Sequence, residues 1–284
     1  IAQCLVGSEM CIRDSPYSAL TIVSTAAWGL GYFGMPHILL RFMAIEDEKK
    51  LKLSRRVATI WVVISLFVAV FIGVIGYTMS KVGALEMLTG SNSETIIVKI
   101  SALLSQHGVI FALLAGVILA GILASTMSTS DSQLLAASSA VSSDILGAFR
   151  KDSSNKNGSM AAARITLLVI SVVAAFIARN PDSSVFAIVS FAWAGFGAAF
   201  GPVVLFSLFW KRTNKWGALA GMVCGGSMVF IWKYLIRPLG GIWNIYELLP
   251  AFLIACAAIV IVSLLTPKPS KEIEEEFDRV AQMK

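Results

Sequence analysis

Charged side chains are scarce in this sequence of 284 residues: they make up 14% of the chain, whereas hydrophobic residues make up 57%. A soluble domain carries about 25% charged residues and about 45–50% apolar residues. The mean hydropathy of +0.78 likewise indicates a strongly apolar chain. The composition therefore excludes an ordinary soluble domain and indicates an integral membrane protein, whose length is counted in spans of about 20 residues.

Histidine and cysteine are also rare, with two and four residues. His37 and His107 form no His-Glu-x-x-His pair, and the sequence has no Gly-x-Ser-x-Gly elbow, so the two common hydrolase motifs are absent. The cysteines show no spacing typical of a disulfide framework or a metal site. We predict that the protein is not an enzyme and uses no cofactor.

Seven apolar stretches are long enough to cross a bilayer. Their continuous apolar runs favour helices over barrel strands, in which hydrophobic and polar residues alternate. A short surface helix is predicted within residues 94–104, between the second and third spans. The seven predicted spans are 17–41, 57–79, 109–140, 160–178, 185–210, 216–236 and 246–266.

Positive charge is distributed unevenly around these spans. Seventeen lysines and arginines lie on or beside the connections after the first, third and fifth spans and on the tail, whereas five lie on the other side. The positive-inside rule then makes the tail cytoplasmic, and the first span enters from outside. This bias accounts for the net charge of +6, so no nucleic-acid partner is expected.

The first fifteen residues, "IAQCLVGSEMCIRDS", differ from the rest of the chain. They lack the basic start and apolar centre of a signal peptide. Because "CLVGSEMCIRDS" resembles the translated read-through of a sequencing adapter, we expect residues 1–15 to be an unstructured artefact; an ordinary extracellular loop is the alternative. A transmembrane domain over 16–266 and a polar, helical cytoplasmic tail over 267–284 would follow.

The first span contains "WGLGYFGMPH", three glycines and a proline within ten apolar residues. The glycines permit unwinding, and Pro36 removes a backbone donor, so we predict a broken helix. Broken membrane helices are typical of secondary transporters, which bind substrate at the break. Trp28 and Tyr32 lie one turn apart and can wall a small cavity. The alternative is an interfacial aromatic pair with glycines for close packing.

The third span carries a hydroxyl stripe, in which Ser125, Ser128, Thr129 and Ser132 share one helix face. Asp131 is the single carboxylate well inside any span, and an ionisable group at that depth is a candidate functional residue. Oxygen ligands of this kind suit a hard cation such as sodium. The alternative is that the hydroxyls bond back to their own helix at a helix contact.

The fifth span contains Gly197 and Gly201, four residues apart. Such spacing is typical of close helix packing, which we favour here over a sliding gate. A seven-helix retinal protein or receptor is a rival interpretation of the span count. The last span lacks the lysine that would bind retinal, and a receptor leaves the hydroxyl stripe unexplained.

Three stretches carry a family resemblance: "AWGLGYFGMPHILLRFMAI", "ILASTMSTSDSQLLAASSA" and "SFAWAGFGAAFGPVVLFSLFWKR". They resemble the sodium:solute symporter family, and within it the branch that transports proline. The resemblance implies an all-α LeuT-type fold with two inverted five-helix repeats. The first five spans would form the second repeat, and the last two would be peripheral helices.

The resemblance also implies site residues. Trp28, Tyr32 and Pro36 fall on substrate-pocket positions of the proline transporters. Met35 stands where the proline pattern has glutamine, which leaves other small amino acids possible as substrates.

On the third span, the resemblance places Ser128 and Thr129 on the sodium-ligating hydroxyls. Ser125 falls on the residue whose backbone carbonyl completes that side of the ion site, although the family pattern has alanine there. No ligand role transfers to Asp131, which we assign to the ion path, with a pairing near the cytoplasmic exit as the alternative.

The function implied by the resemblance is sodium-coupled uptake of a small amino acid, with proline as the leading candidate, by alternating access. Sodium and the substrate would be its partners in the inner cell membrane. The first repeat would lie in a missing N-terminal half, so we expect this chain to be a fragment that does not transport alone. The alternative is a seven-helix receptor or a regulatory membrane module without transport.

Overall fold

The computed structural model describes residues 18–47, 50–145, 156–179 and 184–282. Within these ranges every regular element is helical and no strand occurs, as the sequence predicts. The stretch interpreted as an adapter artefact lies outside the described residues. In chain order the α-helices are α1 (Ala19–Ala27), α2 (Pro36–Met43), α3 (Lys50–Lys81), α4 (Ile96–Leu104), α5 (Val109–Ser139), α6 (Lys156–Ile177), α7 (Val185–Phe209), α8 (Lys215–Ile231), α9 (Leu248–Leu265) and α10 (Lys271–Gln282).

Six helical segments of the described chain are long and apolar enough to cross a membrane. They correspond one to one with the second to seventh predicted spans, which confirms a multi-pass membrane protein. The first predicted span is not a continuous helix but consists of α1, α2 and the turn between them. Helix α3 begins before its predicted boundary, because lysine and arginine are good helix formers that extend it past the apolar stretch.

The described chain divides into two compact units, one built from residues 52–185 and the other from residues 18–51 and 186–282. The first unit contains most of α3 together with α4, α5 and α6. The hydroxyl of Ser138 on α5 donates to the carbonyl of Ala163 on α6 at 3.2 Å, which joins these two helices. The surface helix predicted within residues 94–104 is confirmed as α4.

The second unit is built around α7, α8 and α9. Its core is a cluster of buried side chains, most of them small, which lets the helix backbones approach closely. These residues are Ala194, Ala198, Val229, Leu248, Ala251 and Phe252. Helix α8 presents three glycines four residues apart to its neighbours, and at Gly225 an added Cβ would meet the Ala198 carbonyl of α7. The polar tail forms α10, so its predicted helix is confirmed.

The connection from α7 to α8 is fastened to the end of α9. Asn214 caps α8 by accepting the Gly217 N–H at 2.8 Å, and its side-chain amide donates to the Thr266 hydroxyl at 2.7 Å. Arg212 donates to the Thr266 carbonyl at 3.0 Å. The positive charge of Arg212 is also stabilised there by the negative end of the α9 dipole. In the same connection, Lys211 forms an ion pair with Asp278 of α10.

Candidate functional site

The first predicted span is broken where the sequence predicts. Ser18 caps α1, its hydroxyl accepting the Thr21 N–H at 3.2 Å, and the helix ends at Ala27. Residues Trp28–Gly34 form a tighter 3₁₀ turn. Met35 is then extended, with φ −81° and ψ 113°, and Pro36 opens α2 at its first position. Proline suits that position, because the first helical N–H has no partner within the helix.

The glycines of this segment have a different role from the one predicted. None of them has a positive φ, so the turn does not need their conformational freedom. A Cβ on Gly31 would instead overlap the Trp193 indole, and a Cβ on Gly34 would overlap the Phe196 carbonyl. By contrast, nothing lies within 4 Å of a Cβ built on Gly29. Close packing, the alternative interpretation of these glycines, therefore explains Gly31 and Gly34.

The opposing surface of this contact is the glycine pair of α7. A Cβ on Gly197 would lie 2.7 Å from the Gly31 Cα, and one on Gly201 would lie 2.8 Å from the Phe252 ring. Both glycines are buried. The packing role preferred for this pair is confirmed.

Trp28 is the centre of an aromatic cluster with Phe186, Trp193 and Tyr246. Its ring stacks against these three at centroid distances of 5.4, 5.5 and 5.9 Å respectively. The Trp193 indole also donates to the Trp28 carbonyl at 3.0 Å. The Tyr246 backbone N–H donates to the Ser24 hydroxyl at 3.1 Å, and its phenol donates to the Ser190 carbonyl at 2.6 Å. Trp28 is therefore held from α7 and from the start of α9.

Tyr32 lies edge-on to the Trp193 indole, with the ring centroids 4.8 Å apart. The residue is 51% exposed. Pro36 is exposed as well, whereas Met35 is 5% exposed. Trp193 therefore contacts both of the residues predicted to wall the cavity, Trp28 and Tyr32.

The hydroxyl stripe lies on α5, and all of its members are exposed. Thr129 donates to the Ser125 carbonyl at 3.1 Å, and Ser132 donates to the Ser128 carbonyl at 2.9 Å. The back-bonding of the alternative interpretation is therefore present. Helix α5 runs unbroken through the stripe, so the Ser125 carbonyl is not freed by a helix break. Sodium coordination by Ser125, Ser128 and Thr129 stays a prediction, as does the role of Asp131, which is exposed.

The two sets of predicted site residues belong to different units. Trp28, Tyr32 and Pro36 lie in the second unit, and the stripe with Asp131 lies in the first. The sequence analysis did not find Phe186, Trp193 or Tyr246. Each is more than 150 residues from Trp28, and local periodicity carries no signal for such contacts.

Comparison with known proteins shows the family of this chain. The sequence profile of the sodium:solute symporter family matches residues 8–225. The sodium/proline symporter of Haemophilus influenzae is 41% identical over 280 residues, which are 98% of this chain and 54% of that protein.

Two further relatives agree. The osmoregulated proline transporter of Bacillus subtilis is 39% identical over 254 residues, 89% of this chain and 50% of that protein. The sodium/proline symporter of Escherichia coli is 39% identical over 259 residues, 91% of this chain and 50% of that protein. The chain thus spans about half the length of the curated relatives it matches. No solved structure matches it.

Proposed function

Because the chain belongs to the sodium:solute symporter family, we propose that it serves sodium-coupled uptake of a small amino acid, with proline as the leading substrate. The observation that carries this proposal is the broken first span, with Trp28 and Tyr32 placed beside the break. Relatives named as proline transporters support the substrate. The family and these relatives are transporters, not enzymes.

The fold we propose is of the LeuT type. The first five predicted spans would be the second inverted repeat, and α8 and α9 would be peripheral helices. A discontinuous first helix suits this assignment, because such folds place their sites at helix breaks. The positive-charge bias supports a cytoplasmic tail and a location in the inner cell membrane.

On the substrate side, we assign Trp28, Tyr32 and Pro36 to the pocket. The half-buried Trp28 ring would offer apolar surface to a small side chain or pyrrolidine ring, and Tyr32, which is 51% exposed, would offer its hydroxyl for a hydrogen bond. The amino end of α2, which starts at Pro36, carries the positive end of a helix dipole. A carboxylate substrate group is favoured there.

On the ion side, we assign Ser128 and Thr129 as hydroxyl ligands of sodium and Ser125 as a carbonyl ligand. In the unbroken helix the Ser125 carbonyl accepts both a helical N–H and the Thr129 hydroxyl, so a cation bound there would take the place of the hydroxyl bond. We assign Asp131 to the ion path. Coupling would follow if sodium stabilises the outward-open form that admits substrate.

Transport would also need residues outside this chain, since the matched relatives are about twice as long. We would reconstitute the full-length protein and the 284-residue chain in separate liposomes and measure labelled proline uptake under an inward sodium gradient. Uptake is expected from the full-length protein only. Sodium-dependent uptake by the chain alone would overturn the need for further residues, and no uptake by the full-length protein would overturn the function.

A further inference from the structure

Trp193 contacts both residues that are proposed to wall the substrate pocket, Trp28 and Tyr32. We infer that Trp193 positions Trp28 and Tyr32 for the amino-acid substrate, an inference that rests on the function proposed above. Trp193 itself belongs to α7, outside the broken span.

Trp193 makes three contacts with two residues of the broken span. Its indole N–H donates to the Trp28 carbonyl, its ring stacks on Trp28, and its edge meets Tyr32. Between these two residues lies Gly31, where any Cβ would overlap the indole. The glycine at position 31 is therefore required by this one side chain.

The support beneath Trp193 is rigid. It packs against the core of the second unit, and the next residue, Ala194, is fully buried within that core. Close-packed cores deform little, so the indole is held in one position on α7 and in turn fixes the position of the turn that it contacts. Tyr246 stacks on Trp28 as well, but it makes no ring contact with Tyr32 among the aromatic pairs of the described residues.

The hydrogen bond has a separate function from the stacking. A backbone carbonyl within a bilayer is costly without a donor, and the distorted turn offers its carbonyls less regular partners than an α-helix does. The indole N–H supplies such a donor to Trp28. Loss of this bond should leave the stack in place and loosen the turn, so that substrate affinity falls while the maximal rate is kept.

The test compares Trp193→Phe with Trp193→Ala in the full-length protein, reconstituted as above. The matched control is Trp232→Phe, because the Trp232 indole nitrogen is buried without a hydrogen-bond partner in the described structure. That substitution removes an indole N–H without removing a bond. We would measure KM for proline, the maximal rate and the sodium concentration for half-maximal uptake, each normalised to folded protein.

For Trp193→Phe, KM for proline should rise about two- to tenfold, the range expected for one hydrogen bond. The maximal rate and the sodium requirement should stay near those of the wild type, since only binding is weakened. Trp193→Ala should raise KM further. A KM for Trp193→Phe equal to that of Trp232→Phe would overturn the inference, and so would a fall in the amount of folded protein with unchanged KM.

Failure of the proposed function has a different signature, because the wild-type protein would then show no sodium-dependent uptake. In that case the near-ultraviolet circular dichroism of the aromatic cluster decides the positioning role. Trp193→Phe should change this signal more than Trp232→Phe does. Equal changes would overturn the positioning role.

Discussion

The broken first span and the hydroxyl stripe of α5 differ in what holds their side chains. At the break, Trp28 and Tyr32 are fixed by residues of α7 and by Tyr246, at separations of up to 218 residues. On α5, the hydroxyls of Thr129 and Ser132 bond only to carbonyls four residues earlier. The first region is therefore organised by tertiary packing, and the second by its own helix. Mutations should have correspondingly different effects.

The largest effect should come from Gly34→Ala. The added Cβ would meet backbone atoms of α7, including the Gly201 nitrogen at 2.8 Å, and these cannot rotate away. We expect a loss of about 1–3 kcal/mol of stability from overpacking, together with loss of uptake. Thermal unfolding of the purified protein measures the change.

Gly29→Ala is the matched control for this substitution, because nothing lies within 4 Å of its Cβ. It should be neutral or slightly stabilising, since alanine is the better helix former. Equal destabilisation by the two variants would show that backbone freedom, not packing, selects glycine in this turn.

The second-largest effect is expected in the hydroxyl stripe of α5. Replacement of both Ser128 and Thr129 by alanine should raise the sodium concentration for half-maximal uptake about tenfold or more, because a cation loses two oxygen partners. Folding should be nearly unaffected, since these side chains are exposed and bond within one helix. Titration of uptake against sodium measures the effect.

Thr126→Ala controls for the loss of a back-bonded hydroxyl. Thr126 donates to the Ile122 carbonyl at 2.9 Å, as Thr129 does to Ser125, but it lies off the stripe. It should leave the sodium dependence unchanged. If the double variant also keeps wild-type sodium dependence, the ion site lies elsewhere.

The smallest effect is expected at the tail. A hydrogen bond from Lys211 to Asp278 raises the pKa of the Lys211 ammonium above its ordinary value. A group whose pKa is raised on docking favours docking below its ordinary pKa, and this contribution disappears as the pH rises through the raised value. Docking of α10 should therefore weaken at alkaline pH, as measured by the mobility of a spin label on that helix.

Lys211→Gln should abolish this alkaline transition, and Lys215→Gln, a change at a nearby lysine on α8, should keep it. Global thermal stability should not change in either variant, because both partners of the pair are exposed. If the alkaline transition persists in Lys211→Gln, a group other than Lys211 causes it.

The sequence predicts the helices well and the contacts of the break poorly. Apolar runs place five of the six long helices within a few residues, because length and hydropathy are local properties. Pro36 and its neighbouring glycines correctly mark the break. The sequence could not show why positions 31 and 34 require glycine. The atoms that a Cβ would overlap there belong to Trp193 and Phe196, on a helix far along the chain. A glycine that avoids a clash and a glycine that permits a turn look the same in sequence.

The bond between Ser24 and Tyr246 has a consequence for biosynthesis. The two residues are 222 positions apart, so at ordinary translation speeds the first span precedes its partner by on the order of 10–40 s. During most of this interval α1 and the following turn have neither Trp193 nor Tyr246 to hold them, and Tyr246 is added last. The final geometry of the break is thus a late event in membrane insertion, completed only when the start of α9 has left the ribosome.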